Sequence, residues 1–181
     1  MKPESSDELQ VHLLGPVLRV LNAAVQAGQL QAYAVCGGMA ALFYTEPVLT
    51  FDFDVLCRFP GASGLVDPAP LFAWLKQSGY VFGAEDRVMI HGVPVQFLAA
   101  APGLEEEALA AASTVDVDGV PARVLTAEYL AAIMLKVGRA KDRARLVLMA
   151  AMQPPPWNAG RLEDILRRHQ LTAKWKQWHE G

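Results

Sequence analysis

Asp52-Phe53-Asp54 is the segment of this chain best suited to chemistry. In an extended strand side chains alternate faces, so both carboxylates point one way, while Phe51, Phe53 and Val55 point to the core. Two adjacent carboxylates on an apolar strand repel each other and are costly to desolvate. A divalent cation relieves both costs, and carboxylate oxygens suit magnesium or manganese. The alternative is an edge strand with one wet face. Gly37-Gly38 lies upstream, between an apolar segment and a short helix-forming one. Glycines there let the backbone approach a ligand, and a helix N-terminus offers N–H groups to phosphate. The same pair also serves as a plain turn. A third group, Lys136 with Gly138, Arg139, Lys141 and Asp142, adds positive charge near a helix start, or forms a solvated helix junction.

The surrounding pattern supplies elements to hold these residues. Ser5 and Glu8 fit a capping box for a short first helix. Gly15-Pro16 interrupts it and opens a second helix that closes at Gly28. Residues 31–36 read as a strand and 39–45 as a short apolar helix. A second strand covers 50–58 and an amphipathic helix 71–78. Residues 87–91 and 93–99 form a hairpin around Gly92. Leu104 to Ala112 reads as a helix with Glu105, Glu106 and Glu107 in its first turn, where the helix dipole favours them. Residues 120–125 read as a strand. From there the pattern is helical, with apolar stripes at Leu130, Ile133, Met134 and Val137, then Leu146, Val147 and Ala150, then Leu162, Ile165 and Leu166. The expected class is α+β: a small mixed β-sheet flanked by helices (residues 1–125), with a C-terminal helical segment packed on it (126–181).

Composition agrees with a folded domain. The chain has 181 residues, 52% hydrophobic and 19% charged, which excludes a disordered chain. No apolar run approaches the roughly 20 residues of a membrane helix, so no membrane partner is expected. The acidic N-terminus lacks the apolar stretch of a signal peptide, and two cysteines exclude a disulfide scaffold, which together point to the cytoplasm. Residues 1–135 hold 6 basic and 15 acidic side chains, and residues 136–181 hold 10 and 4. A basic tail on an acidic body can serve a phosphate-bearing ligand or RNA, or simply neutralise the body.

Taken together, Gly37-Gly38 at the end of a strand, Asp52-x-Asp54 on the next strand with Thr50 just ahead, and the later Leu130, Lys136, Gly138, Arg139, Lys141 and Asp142 resemble the nucleotidyltransferase superfamily. The resemblance spans roughly residues 30–150 and is to small bacterial proteins, a branch that includes nucleotidyltransferase toxins of abortive-infection systems. It implies a two-metal transfer of a nucleoside monophosphate from an NTP to a hydroxyl or similar acceptor, on tRNA or protein for example. On that reading Asp52 and Asp54 hold magnesium, Gly37 and Gly38 lie under the phosphates, and Lys136 neutralises phosphate charge. Asp142 orients the phosphate or Arg139. The family pattern usually adds a third carboxylate on a later strand. Here Gln96 stands in its place, and an amide cannot take a proton. Glu85, Asp86 or Asp142 could substitute, the acceptor could need little base assistance, or the fold could bind a nucleotide without transferring it.

Other residues invite weaker readings. His91 falls in the hairpin turn, as plain surface or as a base. His12, His169 and His179 lack metal-ligand spacing. Cys36 and Cys57 read as buried, inert thiols on neighbouring strands. Trp157, Trp175 and Trp178 lie among basic residues near the C-terminus. They suit RNA stacking or, more simply, docking on the body or on a second copy of the chain.

Overall fold

The computed structural model describes residues 6–45, 53–61, 66–83, 87–153 and 157–180. Thr50, Asp52, Glu85 and Asp86 lie outside the described residues. Seven strands form one mixed sheet in the order β3-β4-β5-β2-β1-β7-β6, flanked by helices, as the α+β expectation requires. The strands are β1 (Ala32–Val35), β2 (Phe53–Arg58), β3 (Val81–Phe82), β4 (Arg87–Ile90), β5 (Val93–Ala99), β6 (Ser113–Val117) and β7 (Val120–Val124). The helices are α1 (Ser6–Gln26), α2 (Gly37–Ala41), α3 (Ala69–Gln77), α4 (Leu104–Ala110), α5 (Ala127–Val137), α6 (Ala140–Met152), α7 (Ala159–Arg168) and α8 (Thr172–Glu180).

The centre of the sheet is the part that matters for the site. β2 pairs antiparallel with β1 and parallel with β5. β5 in turn pairs antiparallel with β4 across the His91-Gly92 turn, where both residues have positive φ. One face of these strands carries Phe53, Val55, Val88 and Val95, all essentially buried. Burying side chains of this size contributes about 1.5–3 kcal/mol each. That burial fixes the register, because a one-residue slip would turn every core side chain outward.

Several boundaries differ from the sequence expectations. α1 runs unbroken through Gly15 and Pro16. Proline inside a helix costs about 3 kcal/mol. Val17, Leu18 and Leu21 are nearly solvent-free on that helix, and their burial offsets the cost. Tyr33 of β1 donates its hydroxyl to Asn22 Oδ1 at 2.8 Å, which ties the continuous helix to the sheet. The second apolar stripe is also rephased. Asp142, Leu146 and Met149 face inward on α6, whereas Val147 is 53% exposed. Val137, at the end of α5, is exposed as well. α5 stops at Gly138, whose φ of 75° is the left-handed conformation glycine supplies. Among the described residues, no helix is long and apolar enough to cross a membrane.

Candidate functional site

Asp54 lies at the start of β2, half-buried. Its carbonyl accepts the N–H of Cys36 at 2.9 Å, which brings the end of β1 against it. The chain then turns at Gly37, with φ of 61°, into the five-residue α2. A Cβ at position 37 would overlap Asp54 Oδ2 and stand 3.1 Å from Asp54 Cγ. Glycine is therefore required twice over, by the backbone angle and by the carboxylate packed on it. Gly38 follows as a buried residue of α2.

The parallel register of β2 and β5 sets Asp54 beside Gln96. Registered neighbours share a sheet face. The position expected to carry a third acid is thus beside Asp54, and it carries an amide. On β5's other side the register sets Gln96 beside Arg87 of β4. Carboxylate, amide and guanidinium therefore occupy successive strands on one face, opposite the Phe53, Val55, Val88 and Val95 core.

At the α5–α6 junction, Arg139 donates through Nε to Asp142 Oδ2 at 2.7 Å and through its guanidinium to Oδ1 at 3.2 Å. Asp142 is 1% exposed, while the Arg139 side chain is 51% exposed. The buried acid thus holds an arginine whose outer portion remains in solvent. Of the three acids suggested to replace a carboxylate at 96, Asp142 is committed to this pair. Burial pushes the Cys36 thiol well above its usual range, the Asp54 carboxylate and Cys57 push it further, and Arg139 partly opposes them. Burial also raises Cys57, so both thiols are held protonated and inert.

Other site candidates fall elsewhere. Lys136 Nζ donates to both Glu105 oxygens, at 2.8 and 3.0 Å, across to α4. Its carbonyl accepts Lys174 Nζ of α8 at 3.0 Å. Lys141 is exposed in the first turn of α6. His91 is exposed, with Nε2 3.4 Å from the Tyr80 hydroxyl. His169 Nε2 lies 3.1 Å from Glu107 Oε2. Trp178 packs half-buried on the body, with Arg143 and Lys174 each 5.7 Å from its ring. Trp157 and Trp175 line a cavity of about 480 Å³ between α6, α7 and α8. Arg87 was not singled out from the sequence. The hairpin turn at His91-Gly92 could have revealed it, because that turn fixes Arg87 opposite Gln96.

Magnesium fits the donors in part. Asp54 and the neighbouring Gln96 oxygen are hard ligands of the kind magnesium takes. Among the described residues no group of three His, Cys, Asp or Glu side chains comes together to hold a metal.

Comparison with solved structures places this fold. An antigenic nucleotidyltransferase-like protein from Paracoccidioides brasiliensis superimposes with a TM-score of 0.58 at 17% identity, over 97% of this chain and 95% of its own. The solution structure of the antibiotic-resistance factor ANT(2'')-Ia gives 0.53 at 18% identity, over 97% and 100%. The crystal structure of ANT(2'')-Ia in complex with adenylyl-2''-tobramycin gives 0.52 at 18% identity, over 92% and 99%. The fold is that of the nucleotidyltransferases. No protein-family model matches the sequence, and no curated protein matches it.

Proposed function

We propose that this protein is a magnesium-dependent nucleotidyltransferase that moves a nucleoside monophosphate from an NTP to an acceptor, with RNA or protein as the acceptor classes. The carrying observation is the packing of the Gly37 turn directly on the Asp54 carboxylate. The adenylyl-2''-tobramycin complex of ANT(2'')-Ia, a protein of similar fold, supports a nucleotide-to-acceptor reaction.

Each residue then has a physical task. Asp52 and Asp54 hold magnesium or manganese. The metal, when bound, neutralises charge on the transferring phosphoryl group. Gly37 lets the turn pack on the Asp54 carboxylate, and Gly38 and Thr50 are assigned to the phosphates with it. Arg139, held by Asp142, presents a fixed guanidinium to phosphate oxygens, which pair well with its planar fork. Lys136 and Lys141 add positive charge, Lys136 after exchanging its half-buried Glu105 partner. Gln96 offers an oxygen but no base. The acceptor hydroxyl then transfers its proton to solvent or to a group of its own.

Incubation with labelled NTP and magnesium should release pyrophosphate in the presence of cellular RNA or protein, and Asp52→Asn with Asp54→Asn should abolish that release. Release that persists in the double variant would exclude the assignment.

The Asp54–Gln96 register favours a second reading, a nucleotide-binding module of the same fold that has lost turnover with the third acid. It retains metal-dependent NTP binding and releases no pyrophosphate. Gln96→Glu separates the two. A gain of transfer shows that the missing acid limits activity, and a loss shows that the amide has its own task.

A further inference from the structure

We infer that the cavity between α6, α7 and α8 binds a small zwitterion with an aromatic body, a ligand of the aromatic amino-acid class. The inference does not depend on the nucleotide reading. The cavity lies at the end of α6, whereas the Arg139–Asp142 pair lies at its start.

The walls are held in place by the rest of the fold. The buried stripe of Leu162, Ile165 and Leu166 seats α7 on the body. The start of α7 is pinned twice. The N–H of Asn158 donates to Glu128 of α5 at 2.8 Å, and Asn158 Oδ1 accepts the N–H of Arg161 at 2.9 Å. The chain then turns through Gln170, whose φ is 59°, and the Leu171 carbonyl accepts the N–H of Trp175 at 2.9 Å as α8 begins. Lys174 Nζ donates to the Lys136 carbonyl at 3.0 Å and ties α8 back to α5. Both helices are anchored to α5, so the space between them is set before a ligand arrives. Walls set in advance lower the cost of ordering a site. The enclosed volume is about 480 Å³, within the roughly 300–1,000 Å³ of small-molecule sites.

The lining selects the ligand. Leu162 and Leu166 are buried and give the cavity an apolar floor. Trp157 and Trp175 are half-buried and line it too. Indole rings favour another flat ring, stacked or edge-on. Glu163 of α7 and Lys176 of α8 line the same cavity and are exposed. Among the described residues neither takes part in an ion pair or a side-chain hydrogen bond. An acid and a base thus border one aromatic cavity without neutralising each other. A ligand with only an ammonium would meet Lys176 as a like charge, and one with only a carboxylate would meet Glu163. A neutral ring would use neither group. A zwitterion gives its ammonium to Glu163 and its carboxylate to Lys176, and its ring takes the apolar interior.

The test is a tryptophan-fluorescence titration of the whole chain with four probes. L-Phenylalanine carries ring, ammonium and carboxylate. Phenethylamine lacks the carboxylate, 3-phenylpropionate lacks the ammonium, and L-alanine lacks the ring. Phenylalanine should bind about fivefold or more tighter than either singly charged probe, the upper worth of an exposed ion pair, and alanine should not bind measurably. Glu163→Gln should weaken phenylalanine about fivefold and leave 3-phenylpropionate no weaker. Lys176→Gln should weaken phenylalanine similarly and leave phenethylamine no weaker. Trp157→Ala should weaken phenylalanine about tenfold, with circular dichroism to show that it folds. The two charge variants lie on exposed positions and carry the test if Trp157→Ala does not fold. No phenylalanine binding, equal binding of the three ring probes, or unchanged phenylalanine affinity in both charge variants would overturn the inference. Tighter binding of phenethylamine than of phenylalanine would overturn it in favour of an organic cation.

Discussion

Two acid–arginine pairings in this protein look alike in outline and differ in what surrounds them. At the α5–α6 junction Asp142 is 1% exposed and takes Arg139 through both oxygens. On the α4–α7 side Glu107 is 40% exposed and meets Arg168 at 3.0 Å, His169 at 3.1 Å and the Tyr129 hydroxyl at 3.4 Å. The second cluster has more partners, yet water competes for each. A buried carboxylate depends on its partner, whereas an exposed one can exchange protein for solvent at little cost. The first arrangement sets the direction of the Arg139 side chain. The second fastens helices together on the surface.

That contrast can be broken in order of expected effect. Asp142→Ala should destabilise the fold by about 1.5–3 kcal/mol, the range for a hydrogen bond to a charged group, read from the urea midpoint. It should also weaken nucleotide binding by releasing Arg139. A change within about 0.5 kcal/mol would show that burial of Asp142 does not matter. Gly37→Ala should cost about 1–2 kcal/mol from the left-handed backbone alone. It should also displace the Asp54 carboxylate and so reduce metal-dependent NTP binding more than stability. Glu107→Ala should cost less than about 1 kcal/mol and leave nucleotide binding unchanged. A loss at Glu107 equal to that at Asp142 would erase the distinction.

The smallest expected effect is a pH dependence. Hydrogen bonds from His169 and then Arg168 hold the Glu107 carboxyl below its ordinary range. A lowered folded-state pKa means that the stability is present above the ordinary glutamate value and is lost as pH falls through the folded one. Wild type and Glu107→Ala should therefore differ at neutral pH and converge in acid. A gap that widens on acidification would reverse the assigned sign.

Some local elements were legible because they depend on short-range pattern. The break at Gly37 and the strand carrying Asp54 follow from residue type and short spacing, whereas the reading of Gln96 as a replaced acid came from the family resemblance. Long-range partners were not legible. Glu105 lies 31 residues before Lys136, and nothing in either segment announces their ion pair. The α6 stripe was misphased because Leu146, Val147 and Leu148 are consecutive apolar residues that fit several helical phases. Burial of Asp142, which a sequence places on a wet face, decides which phase is real. β6 was missed because Ser113, Thr114 and Asp116 line an exposed sheet edge and carry little apolar signal. Pro16 misled in the opposite direction, since its local cost was visible and the tertiary burial that offsets it was not.

The most direct test of the nucleotide site is a thermal-shift comparison of the four NTPs, with and without magnesium or manganese, in the wild type and the Asp52→Asn/Asp54→Asn double variant. A ligand at 100 times its Kd stabilises a fold by about 2.7 kcal/mol, a readily measured rise in Tm. A shift that requires the metal and disappears in the double variant is the predicted result. No shift with any NTP, or an equal shift in the double variant, would contradict the nucleotide site at Asp54.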